Sequence, residues 1–155
     1  MITTVDFETI FKIWSEYLWP NRLSNIQPHS AMLMSGHYEL KNFNYTPTFF
    51  IYKVDGIIAG CNSGHKCCDN TYRSRGLYVF PEFRKKGYGK ELLVATINQG
   101  IKENTRYIWS YPRYESWSTY ESAGFKLVSD WKKDETGTNA LCVYEIDRSG
   151  WSSNL

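Results

Sequence analysis

Arg84, Lys85, Lys86 and Lys90 bracket Gly87, Tyr88 and Gly89 in residues 77–91, Leu-Tyr-Val-Phe-Pro-Glu-Phe-Arg-Lys-Lys-Gly-Tyr-Gly-Lys-Glu. Cationic side chains and glycines at this spacing suit an anion. Glycine lets backbone approach a ligand closely. The free amides at a helix start attract negative charge. The chemistry that fits is a pyrophosphate cradle. It is not a Walker loop, because no Gly-Lys-Ser/Thr follows a four-residue gap, and the third glycine of a dinucleotide fingerprint is missing. The same residues also read as an ordinary strand-to-helix connection with a solvated basic face.

The thiols offer a different chemistry. Cys61, Cys67, Cys68 and Cys142 form no Cys-x-x-Cys pair, and His65 lies close to Cys67 and Cys68. A tetrahedral zinc site needs four ligands at workable spacing. Adjacent cysteines rarely share one ion, and no second cluster follows. No metal is expected, and reduced thiols fit better.

The elements around the cradle follow from pattern. Leu77 to Phe80 are β-prone, Pro81 stops the ladder, and apolar residues at helical spacing begin after Lys90. A strand over 72–80 and a helix from about Gly87 to Glu103 result. Upstream, Ile2–Val5 read as a strand and Asp6 as the N-cap of a helix to about Trp19, which Pro20 ends. Residues 21–46 are hard to read. A short helix is expected over 30–35, and Pro28, Gly36 and the Asn-rich stretch after Lys41 read as loop. Thr48–Val54 and residues 57–63 form a hairpin across Asp55-Gly56, and Asp69-Asn70 make a turn. Downstream come a strand over 106–111, a helix over 114–122 capped by Gly124, and an antiparallel pair, 125–131 with 140–146, across a polar loop at 134–139. The expectation is one mixed sheet with helices on both faces, hence an α/β or α+β fold.

The 155 residues suffice for one domain with a real core. We expect that domain over 1–147 and a loosely held C-terminal tail over 148–155, with Trp151 as a docking point. A net charge of +2 is too small to argue for nucleic acid. Aromatic residues reach 17%, which suits an amphipathic core and surface or an aromatic-walled cleft. No apolar run approaches the roughly 20 residues that span a bilayer, and no signal-peptide pattern opens the chain. Cytoplasmic localisation and no membrane partner are the expectations.

Val79-x-Pro81-x-x-Arg84-x-x-Gly87-x-Gly89 resembles the acyl-CoA-binding motif of the GNAT superfamily of N-acetyltransferases. Tyr120-Glu-Ser-Ala-Gly124-Phe125 resembles that family's Tyr-x-x-x-Gly-Phe signature, in the right order and at a familiar separation. The resemblance extends loosely over residues 1 to about 147. It implies a mostly antiparallel sheet of about six to seven strands, with a splayed strand pair that holds acyl-CoA. It also implies direct attack of an amine on acetyl-CoA, without a covalent enzyme intermediate.

Under that resemblance, backbone amides of Lys85, Lys86, Gly87, Tyr88, Gly89 and Lys90 hold the pyrophosphate, with Arg84 as the motif's arginine. Leu77, Tyr78 and Val79 match the strand that pairs with the pantetheine arm. Ser116 matches a small residue near the cofactor, and Arg113 stands where many relatives have Asn. Tyr120 matches the general acid for the departing thiolate. A phenol's reference pKa of about 10 keeps it protonated at neutral pH; it also reads as a packing partner of Phe125. Two acidic positions of the family are absent, since Arg73 and Ile108 occupy them. Glu39, His37, Asp69 and Glu115 are candidates for a general base by chemistry alone. Arg73, Arg75 and Arg113 suit a carboxylate or phosphate on the acceptor, a solvated strand edge, or the cofactor's 3′-phosphate.

Three functional readings follow. The first is an acetyl-CoA-dependent N-acetyltransferase acting on a small-molecule or peptide amine, with a homodimer possible by family habit. The second is a non-catalytic acyl-CoA-binding sensor or scaffold of the same fold. The third is a nucleic-acid-binding module using residues 73–90 with Tyr72, Tyr78, Phe83 and Tyr88. It ranks last because the cofactor's phosphates explain the same residues, so no nucleic-acid partner is expected.

Overall fold

Asp6 turns the chain from strand β1 (Ile2–Val5) into helix α1 (Phe7–Ile13), accepting the Thr9 amide at 3.0 Å. Helix α1 runs on into a π-helical turn, Trp14–Leu18, in which the Trp19 amide reaches Trp14 O at 2.7 Å. The expected helix end near Trp19 therefore holds, with its last turn widened. The computed structural model describes residues 1–134 and 137–146. The expected tail and the docking of Trp151 lie outside the described residues.

Strands β2 (Thr48–Val54) and β3 (Ile57–Lys66) form the expected hairpin, with Asp55 at φ 50° and Gly56 at φ 79°. Positive φ at both positions matches the right-handed twist of the strands. Strand β4 (Tyr72–Val79) leads into helix α2 (Tyr88–Lys102), then strand β5 (Tyr107–Ser110) and helix α3 (Trp117–Ser122). Strands β6 (Lys126–Leu127), β7 (Lys132–Asp134), β8 (Gly137–Asn139) and β9 (Cys142–Glu145) close the described chain. The main sheet has seven strands in the order β1-β2-β3-β4-β5-β9-β6, antiparallel except for β4 beside β5. Among the described residues no helix is long and apolar enough to cross a membrane.

Both sheet faces are covered. Ile10, Ile13 and Trp14 of the first helical segment pack on Phe49, Ile51 and Cys61. On the other face Leu93 and Ile97 of α2, with Tyr120 and Phe125, pack on Tyr72, Ile108 and Cys142. Buried polar groups stitch α2 to the sheet: Asn62 donates to Ser74 Oγ at 2.8 Å and to Thr96 Oγ1 at 2.9 Å.

Four expectations need correction. Residues 30–35 form no helix. Met32 instead bridges Tyr38, and the Asn-rich stretch is a 3-10 helix, Leu40–Asn44. Asn42 explains both. It is fully buried, donates to Ser30 O at 3.0 Å and Met32 O at 3.3 Å, and accepts the Cys68 amide at 2.9 Å. The strand expected over 125–131 keeps only β6, and the polar loop over 134–139 supplies strand residues of the hairpin β7–β8. Lys132–Asp134 is charged and exposed and Gly137–Asn139 is small and polar, so neither carries an apolar alternation to announce it.

His65 anchors the same irregular segment. Its Nε2 accepts the Ser30 amide at 3.3 Å, and its Nδ1 lies 3.1 Å from Lys66 O. Burial pushes its pKa down to about 3. Between pH 6.5 and 3 the unfolded chain thus binds more protons at this site than the folded one, so stability falls as pH drops. His65→Gln should remove about 3 kcal/mol of the stability lost between pH 6.5 and 4. Urea denaturation at several pH values checks this, and an unchanged pH slope in the variant would contradict it.

Candidate active site

Strands β4 and β5 pair only at Tyr72↔Ile108 and Arg73↔Trp109. One side-chain bond follows, from Ser110 Oγ to Ser74 O at 2.8 Å. Beyond it the strands part, and β5 turns its other edge to β9. This is the splay that the family resemblance implies. The opened strand also bulges. Ser63 pairs Arg75 and Cys61 pairs Tyr78, so Gly76 and Leu77 together oppose Asn62. Gly76 sits at φ 82°, and its carbonyl accepts Trp14 Nε1 at 2.8 Å. A Cβ there would fall into the Trp14 indole.

A cavity of about 80 Å³ lies in this wedge. Its walls are Arg73 to Leu77 of β4, Ser110 to Arg113 after β5, Ser116 and Tyr120 of the α3 segment, and Asn139 of β8, with Leu18 and Trp19 at the end of the first helical segment. Tyr120 is 3% exposed and meets Phe125 edge-on, with centroids 5.5 Å apart. The turn that brings Phe125 back uses Gly124 at φ 101°. Ser110 lies beside the Tyr120 hydroxyl, where it favours the ionised phenol less than burial opposes it. Ser110 itself gives its single hydrogen to Ser74 O. Burial pushes the phenol's pKa up, so it stays protonated.

The cradle stands where β4 passes into α2. Gly87 caps α2 at φ 85° with open space around its Cα, and Lys85 also has positive φ, 62°. Arg84, Lys85, Lys86 and Lys90 are exposed around it. The amides of Tyr88, Gly89 and Lys90 lie in the first helical turn, where they have no partner within the helix. Three residues do more than the sequence foretold. Arg84 Nε donates to Val79 O at 2.8 Å and its guanidinium lies 5.5 Å from the Tyr78 ring, so it fastens the strand end. Tyr88 stacks on Tyr52 at 4.4 Å. Gly89 is buried, and a Cβ there would press on Thr119 Cγ2 at 3.0 Å. The second glycine therefore serves helix packing as well as any ligand.

The expected residues thus fall into two groups joined by β4. Leu77, Arg113, Ser116 and Tyr120 line the wedge. Arg84 to Lys90 form the cradle, with Tyr78 and Val79 between the groups. Tyr78 packs against Tyr17 and Phe80. None of Glu39, His37, Asp69 and Glu115 lines the wedge. Asp69 instead holds Thr71, accepting its hydroxyl at 2.6 Å and its amide at 3.1 Å. Arg73 lines the wedge, and Ile108 is buried in the core. Sequence reading missed Trp14, Trp19, Ser110 and Asn139. The two tryptophans lay at or near an amphipathic helix and looked like core, and Asn139 sat in a presumed loop. Among the described residues no three or more His, Cys, Asp or Glu gather as for a metal. Cys67 Sγ lies 3.9 Å from His65 Nδ1, both buried.

A family model described as an acetyltransferase (GNAT) domain matches residues 46–127, more than half of the chain. No curated protein matches it. Solved structures share its fold. An acetyltransferase of the GNAT family from Staphylococcus aureus Mu50 has TM-score 0.66 and 14% identity, covering 95% of this chain and 99% of its own. A candidate N-acetyltransferase from Lactobacillus plantarum has TM-score 0.69 and 10% identity, with 95% and 98% covered. A candidate acetyltransferase from Salmonella typhimurium, held with its cofactor acetyl-CoA, has TM-score 0.66 and 15% identity, with 95% and 94% covered.

The bulge gives a stability prediction. Gly76→Ala imposes a disfavoured φ and a clash with a buried indole, and should cost about 2–4 kcal/mol. Chemical denaturation measures it. A loss below about 0.5 kcal/mol, within the range of a neutral surface change, would contradict the bulge as described.

Proposed function

The chain belongs to the acetyltransferase (GNAT) family, and from that premise we propose that it transfers an acetyl group from acetyl-CoA to a primary amine of a small molecule or peptide. Residues 1–147 act as the one domain that does so. The observation that carries this reading is the parting of β4 from β5 after Arg73, with Tyr120 on the wall of the opening. A strand edge without a neighbour offers amides and carbonyls to an extended ligand. The same strand runs on to the open N-terminus of α2, where backbone amides and four cations suit a pyrophosphate.

Acetyl-CoA supplies the activated acyl group, and the amine displaces its thiol. In this reading the residues of the chain position and move protons. The Leu77 to Val79 backbone holds the pantetheine arm and aims an amide at the carbonyl oxygen, where developing charge needs a preorganised donor. Tyr120 carries the proton that the departing sulfur needs. Ser110 beside it stays bonded to Ser74 O. With no acid on the wedge wall among the described residues, the amine loses its proton to water. Arg73 and Arg75 favour this loss, since positive neighbours disfavour an ammonium. We place the protein in the cytoplasm, where its four unbridged cysteines stay reduced.

The absence of an acid from that wall also favours a second reading, a domain that binds acyl-CoA without turnover. Calorimetric titration and a thiol-release assay over an amine panel separate the two. Acetyl-CoA should bind, and Gly87→Glu should weaken it by about 100-fold, since it sets a carboxylate in the cradle at strained φ. Tyr120→Phe should bind normally yet lose about 10²–10⁴ in turnover. Binding without turnover of any amine would favour the scaffold, and no binding would overturn the proposal.

A further inference from the structure

The wedge holds more positive charge than the transfer of an acetyl group requires. Arg73 and Arg75 sit two residues apart on β4 and reach the same face of the sheet. The Arg73 guanidinium lies 4.9 Å from the Trp109 ring. That of Arg75 lies 5.0 Å from Trp14 and 5.1 Å from Trp19, against a pair of rings whose centroids are 5.2 Å apart. Arg75 is 5% exposed and gives one hydrogen bond, Nη1 to Gln27 O at 2.8 Å. Arg73 Nε is buried and has no partner. Neither guanidinium pairs with a carboxylate among the described residues. The charges that act on Arg75 are Arg73 and Arg22, both positive. Burial lowers the two arginines to about 10 and about 9, so both stay charged at neutral pH.

Desolvated, unpaired charge is costly to hold in a folded chain. Here it lines a cavity with an unpaired acceptor. Asn139 Oδ1 is buried without a partner, while its Nδ2 donates to Tyr111 O at 3.1 Å. That bond fixes which way the amide points, because a flipped amide would set two oxygens against each other. The wedge therefore offers guanidinium forks for an oxyanion, one acceptor for an N–H, and a protonated phenol.

We infer that the acceptor is an amine that also carries a carboxylate, such as an amino acid or a short amino-carboxylic acid. Its carboxylate takes the free donors of Arg73 and Arg75, and its amine gives an N–H to Asn139 Oδ1. A planar carboxylate suits a cavity of about 80 Å³ better than a tetrahedral phosphate with its additional oxygens. The arginines thus bind the acceptor, and the tryptophan rings beside them hold their forks in place. This assignment rests on the proposed acetyl transfer.

The test is a thiol-release assay at saturating acetyl-CoA, with acceptors in matched triplets: free amino acids and ω-amino acids, their carboxamides, and their phosphonate analogues. Carboxylates should exceed carboxamides by at least about tenfold in kcat/KM, because a buried charge left unpaired discriminates strongly. Arg73→Gln should erase that preference while acetyl-CoA affinity, read by calorimetry, stays unchanged. Arg75→Lys, which keeps charge and loses the fork, should reduce it. Neutral amines accepted equally, phosphonates preferred, a preference surviving in Arg73→Gln, or binding of acetyl-CoA with no member of the panel acetylated would each overturn the inference. Good turnover of neutral amines would leave acetyl transfer standing, whereas absence of acetyl-CoA binding would remove both.

Discussion

The site depends on a sheet that is built to come apart. Two residue pairs join β4 to β5, and Ser110 adds a last tie at Ser74. From there β4 has one strand partner, β3, and a free edge. An unpaired edge inside a fold is expensive in unmet hydrogen bonds, so the opening must be held by other contacts. On one side the Trp14 indole grips the bulge at Gly76 O. On the other β5 is kept away by its four-residue pairing with β9. The seven-stranded sheet supplies rigidity, and the opening supplies a place where backbone can meet a ligand.

The π-helical turn after α1 belongs to the same design. It sets Trp14 against Gly76 and brings Trp14 and Trp19 together as one aromatic pair against Arg75. One irregular turn thereby shapes the bulge and presents a guanidinium. Arg73 stands where the family resemblance implies an acid in some members, and the wedge of this chain is positive. A positive wedge cannot accept a proton from the amine, but it discourages an ammonium and attracts an anion. The general base and the acceptor therefore pose one electrostatic problem, and Arg73 connects them.

Much of this was legible in the sequence, for local reasons. Thr48–Val54, Asp55-Gly56 and the α2 periodicity are short-range signals, and the structure keeps them. The motif glycines and Tyr120 pointed to the cradle and the wedge. The segment before β2 was not legible, because it is organised by single buried groups. Asn42 and His65 hold it through bonds to backbone far away in sequence. Such bonds leave no periodicity. Asn139 was hidden for a related reason: it reaches the wedge through a short polar hairpin whose residues read as loop. Gly89 was legible as a glycine, but its packing against Thr119 was not.

The most direct test of the central claim, that the parted strand and the α2 N-terminus hold one acyl-CoA, is residue-resolved amide hydrogen exchange with and without acetyl-CoA. Slower exchange confined to Leu77, Tyr78 and Val79 and to the amides from Lys85 to Lys90 is the expected result. Binding that leaves both stretches unprotected, or protects only one of them, would contradict it.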